Sequence, residues 1–149
     1  MSTFKLTPQL MRAIIMDHYE NPRCRKTPED LENYRKINMN SSGCVDDIWV
    51  YLKVENEIVE EVYWEGEACA ISTASTSIMC EMMQGKNIDD ALYIIDEYKK
   101  MIDEQDYDES VLGEALVFMN TSKQPARIKC ATLGWDGLLD LLKELEEDE

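Results

Sequence analysis

The chain has 149 residues, the size of one ordinary domain, with 31 acidic against 15 basic side chains and a formal charge of −16 at pH 7. Such a chain repels phosphate backbones and anionic lipid headgroups, which argues against nucleic acid and membrane surfaces and favours a basic protein partner. No apolar run approaches the roughly 20 residues that span a bilayer and no secretory leader is visible in residues 1–19. The expectation is a cytoplasmic protein, residues 1–149 forming one domain, whose five cysteines stay reduced.

In chain order, Thr7 and Pro8 are start signals for a helix with Met11, Ile14, Ile15 and His18 on one face, and Asn21-Pro22 ends it. Residues 23–40 read as a polar connector holding a short strand near 36–39. Ile48, Val50, Leu52 and Val54 alternate with Trp49, Tyr51 and Lys53, a strand pattern. A turn at Glu55-Asn56-Glu57 leads into a second strand over 58–65, making a hairpin that Gly66 ends. A helix follows over 72–84, opening on small residues. The next has Ile88, Leu92, Ile95 and Ile102 on one face, with Asp89 and Asp90 favourable at its start. Residues 103–110 read as an acidic loop and 111–118 as a short helix. A last helix starts near Thr132, with Leu138, Leu139, Leu141, Leu142 and Leu145 on a broad apolar face. Helices following an antiparallel hairpin predict an α+β fold.

The cysteines carry the possible chemistry. Cys44 precedes the first hairpin strand and Cys69 follows the second, so hairpin geometry alone makes them neighbours. Cys69 and Cys130 each stand just before an expected helix, where free backbone N–H groups and the dipole stabilise a thiolate. Arg127 and Lys129 add positive charge beside Cys130; equally, Arg127 fits a plain surface salt bridge. Asp46, two residues after Cys44, could add an oxygen, and three thiolates with one carboxylate match tetrahedral zinc in type and number. The spacings fit a second reading as well: no C-x-x-C pair is present, and a lone cysteine usually serves as a small buried apolar residue. Cys80 reads as core among Ile78, Met79, Met82 and Met83, Cys24 as an incidental thiol, and His18 and Trp135 as packed core residues.

Four segments read together resemble the IscU/NifU N-terminal family of iron–sulfur cluster assembly proteins, and within it the SufU branch. They are Asp17-His18-Tyr19-Glu20-Asn21-Pro22-Arg23, Cys44-Val45-Asp46, Gly66-Glu67-Ala68-Cys69-Ala70-Ile71-Ser72, and Pro125-Ala126-Arg127-Ile128-Lys129-Cys130-Ala131-Thr132-Leu133. They stand in family order, and the last is very specific. The resemblance implies a small antiparallel sheet packed by helices and the convergence of Cys44, Asp46, Cys69 and Cys130 on zinc. It implies as partners a pyridoxal-phosphate cysteine desulfurase of SufS type, which supplies persulfide sulfur, and downstream iron–sulfur assembly proteins. On this resemblance Cys44 is the sulfur acceptor, Cys130 the alternative acceptor, and Arg127 a supporting residue. Lys129, where scaffold-type members carry a histidine, and the segment 103–123 favour this branch. Two rival classes are a scaffold that assembles a [2Fe–2S] cluster or holds iron on the same cysteines, and an interaction module with structural zinc. Val45 stands where the family usually has Gly, and Ser41-Ser42-Gly43 replaces the usual Asn-Pro. A β-branched residue takes a positive φ poorly, so either Gly43 supplies that freedom or the loop is shaped differently.

Overall fold

A computed structural model describes residues 6–41 and 45–148. Helix α1 (Pro8–Glu20) starts as the sequence specifies: Thr7 caps it by accepting the Leu10 N–H at 3.1 Å, and proline occupies the first helical position. A connector with one 3-10 turn (Leu31–Asn33) leads to strand β1 (Arg35–Asn40), then β2 (Asp47–Glu55) and β3 (Ile58–Glu67). These form an antiparallel sheet in the order β1-β2-β3. The expected short strand near 36–39 therefore exists and joins the hairpin as its third member. The β2–β3 turn is tight, with Asn56 and Glu57 both at positive φ (53° and 62°), the twist that two-residue hairpin loops require.

One face of the sheet is buried because its apolar residues alternate in register. Ile37 and Met39 of β1, Ile48, Val50 and Leu52 of β2, and Val62 and Trp64 of β3 turn to the core. Helices α2 (Ala70–Met83), α3 (Ile88–Ile102) and α4 (Pro125–Glu147) supply the other wall, with Ile78, Met79, Tyr98, Trp135, Leu138 and Leu142 buried in it. Each large side chain taken out of water in this way contributes about 1.5–3 kcal/mol. The architecture is α+β, as expected.

Four boundaries differ from the sequence reading. The second hairpin strand runs on to Glu67, with Gly66 paired inside it rather than ending it. Helix α2 begins at Ala70 rather than 72, because Cys69 itself is the N-cap. Residues 109–123 form three 3-10 segments (Glu109–Val111, Gly113–Phe118 and Thr121–Lys123) in place of a short α-helix. Gly113, at φ 47°, breaks the α-helical path there. Helix α4 begins at Pro125, seven residues before Thr132. Proline's fixed φ suits that first position, but Arg127 and Lys129 are exposed in the opening turns, so no apolar period announces the start.

The strand register positions the functional end. Asp47 pairs with Glu67 and Ile48 with Gly66, so the start of β2 and the end of β3 lie side by side. Gly66 permits the close approach: at φ 137°, a Cβ on it would stand 2.3 Å from the Asp47 carbonyl oxygen.

Candidate metal centre

Asp46, Cys69 and Cys130 come from three separate elements and offer one ligand atom each, all within 4.8 Å of one another. Asp46 sits immediately before β2 and is 1% exposed. Its Oδ1 accepts the Cys69 N–H at 2.7 Å, and its Oδ2 lies 3.8 Å from the Cys69 sulfur. Cys69 caps α2, its sulfur accepting the Ser72 N–H at 3.4 Å, which is where a thiolate gains from free N–H groups and the helix dipole.

Cys130 is 6% exposed and sits inside α4, its sulfur 4.0 Å from the Ala126 carbonyl oxygen. This corrects the expectation that it precedes a helix: with α4 starting at Pro125, Cys130 lies beyond the free N–H groups of the first turn. A buried polar network fixes its place instead. The Ser75 hydroxyl donates to the Ala131 carbonyl at 2.6 Å, the Tyr98 hydroxyl donates to the same oxygen at 2.8 Å, and Trp135 Nε1 donates to Ser75 at 3.0 Å. Tyr98 and Trp135 stack with ring centroids 3.9 Å apart. The residue next to Cys130 is thus held from α2 and α3 at once.

Cys44 lies outside the described residues. Val45 is 65% exposed. Arg127 and Lys129 are exposed on the opening turns of α4. Cys80 is wholly buried and burial pushes its thiol well up, while desolvation raises the half-buried Cys24 thiol as well. Neither has the makings of a thiolate.

A second cluster escaped the sequence. His18 is fully buried, with Nδ1 2.8 Å from Ser77 Oγ and Nε2 3.2 Å from Glu114. Ser77 also accepts the Arg23 N–H at 2.8 Å, and Glu81 completes a set whose ligand atoms fall within 4.8 Å. The spacing Ser77–Glu81, one helical turn, was the only local signal; Glu114 is 96 residues from His18.

Residues 11–131 match the NifU-like N terminal domain family. The chain is 42% identical over 130 residues to the zinc-dependent sulfurtransferase SufU of Bacillus subtilis, covering 87% of this chain and 86% of that one. It is 36% identical over 134 residues to the iron–sulfur cluster assembly scaffold protein IscU of Thermotoga maritima, covering 88% and 91%. The fold matches the crystal structure of FiSufU from Fervidobacterium islandicum AW-1 with a TM-score of 0.79 at 30% identity, over 87% of this chain and 93% of that one. The chain belongs to the NifU-like N-terminal domain family, the iron–sulfur cluster assembly proteins that include SufU and IscU.

Proposed function

We propose that this chain is a SufU-type protein of the cytoplasm that binds zinc and accepts persulfide sulfur from a cysteine desulfurase of SufS type, handing it to downstream iron–sulfur assembly proteins. One observation carries the reading: a buried carboxylate and two thiols from three elements face one another within 4.8 Å, and a third thiol, Cys44, lies two residues from that carboxylate in the chain. These donors fit the ion. Zinc takes four ligands of this type at roughly 2.0–2.3 Å, which places neighbouring donors under 4 Å apart, and the Asp46–Cys69 separation of 3.8 Å is already in that range. Cys44, Asp46, Cys69 and Cys130 would hold it, and bound zinc keeps such thiols deprotonated and guarded from oxidation.

The chain's own residues then divide the work. Cys69 and Cys130 are each fixed by a helix, which supports Cys44, in the sequence between β1 and β2, as the acceptor and Cys130 as the alternative. The Cys44 thiolate attacks the terminal sulfur of the desulfurase persulfide. A sulfur–sulfur bond forms on Cys44, the partner's sulfur–sulfur bond breaks, and the partner cysteine leaves as a thiolate, with no net oxidation. Asp46 keeps one oxygen tied to the Cys69 amide and the other toward the thiols. Arg127, exposed at the start of α4, steadies the partner contact. The 42% identical relative named as a zinc-dependent sulfurtransferase supports this reading.

The test is desulfurase turnover with and without the protein, alongside metal analysis. Wild type raises turnover and carries one zinc per chain; Cys44→Ala stays folded and fails to raise turnover. The rival scaffold reading draws on the 36% identical IscU and predicts instead a brown protein with [2Fe–2S] absorbance on the same thiolates. Unfolding of Cys44→Ala would favour a purely structural zinc.

A further inference from the structure

Helix α2 carries two wholly buried hydroxyls that, among the described residues, have no hydrogen-bond partner: Ser72 Oγ and Thr76 Oγ1. A buried hydroxyl without an acceptor is destabilising, so such groups are few in a folded chain. A serine in a helix commonly returns its hydrogen to the carbonyl four residues back. For Ser72 that is Ala68, whose carbonyl already accepts the Thr73 hydroxyl at 3.3 Å.

The two hydroxyls are one turn apart but differ in surroundings. Helices α2 and α4 run in the same direction at their contact. Ser75 bonds the Ala131 carbonyl, and a Cβ on Gly134 would stand 2.6 Å from Thr76 Oγ1. One turn back along both helices from Thr76 and Gly134 are Ser72 and Cys130. Independently, the Ser72 backbone N–H reaches the Cys69 sulfur at 3.4 Å, and that sulfur lies within 4.8 Å of the Cys130 sulfur. Ser72 therefore stands at the thiol pair, while Thr76 stands one turn away, in the seam between the helices.

We propose that Ser72 is a positioning residue of the metal centre, its buried hydroxyl donating a hydrogen bond to the Cys130 thiolate when the thiols gather on the ion. The proposal rests on the zinc reading above. Such a bond fixes the direction from which the Cys130 sulfur approaches the ion.

The test compares wild type, Ser72→Ala, Thr76→Ala and Cys130→Ser as full chains. Zn²⁺ affinity is measured by competition with a chromophoric chelator, the sulfur-to-metal charge-transfer band is recorded after Co²⁺ loading, and metal-free thermal unfolding is followed in parallel. Ser72→Ala is expected to weaken zinc binding by roughly 10- to 100-fold, the range for groups that hydrogen-bond a metal ligand, and to shift the cobalt band. Metal-free Ser72→Ala unfolds no earlier than wild type, and Thr76→Ala leaves affinity and band unchanged. Ser72→Ala binding zinc as tightly as wild type overturns the proposal, as does an equal loss in Thr76→Ala, which would mark a packing effect. If wild type takes up no zinc, or Cys130→Ser takes up as much as wild type, the metal reading itself fails and the role of Ser72 fails with it.

Discussion

Among the described residues stand two triplets of potential metal ligands, and they are built in opposite ways. Around His18, both imidazole nitrogens have protein partners, and Arg23 stands 3.7 Å from Glu81 and 2.7 Å from Asp17. A guanidinium among the carboxylates already supplies their counter-charge, so that cluster is a latch tying α1, α2 and the segment 113–118 together. Around Asp46 the donors are two thiols and a buried carboxylate that bonds the amide and the sulfur of Cys69. Counting ligand-type residues cannot separate the two. What separates them is donor chemistry: an imidazole and exposed carboxylates beside a guanidinium in one, two thiols and a buried carboxylate in the other.

The comparison can be broken most directly at Cys69. Cys69→Ala should abolish zinc binding, and with metal at a thousandfold its dissociation constant the lost linkage is about 4 kcal/mol of unfolding free energy, read as a lower denaturation midpoint in zinc. His18→Ala should cost about 2–4 kcal/mol through two lost bonds and a buried cavity, yet leave zinc stoichiometry at the wild-type value by elemental analysis. If it emptied the metal centre, the two clusters would be one unit. Gly134→Ala drives a Cβ into Thr76 and should cost about 1–2 kcal/mol in urea unfolding, with most of that recovered in the Gly134→Ala, Thr76→Ala double variant. The smallest effect is expected at Cys24, which holds φ 62° without being glycine. Cys24→Asn should stabilise by about 0.5–1 kcal/mol without touching zinc affinity.

The hairpin and the helix over residues 88–102 were readable because each buries one face, and burial writes a period into the sequence. The same hairpin logic foresaw that the start of β2 and the end of β3 would meet, which places Asp46 beside Cys69. The start of α4 was not readable, since its first turns set a single large apolar residue, Ile128, among charged, exposed or small ones. Nor could the sequence display the pairing of His18 with Glu114 or the level of Ser72 against Cys130, because these depend on how helices stack rather than on any local pattern. The consequence of Val45 for the loop before Asp46 falls on residues 42–44, outside those described.

Trp135 stacks on Tyr98 and bonds to Ser75, in the network that holds the residue following Cys130. That places a buried indole five residues from the Cys130 sulfur, while Trp49 is exposed on the sheet and Trp64, equally buried, lies against Arg25. The protein therefore carries its own optical gauge: emission from Trp135, blue-shifted by its dry surroundings, should follow the loading and unloading of the thiols in real time, with no label attached.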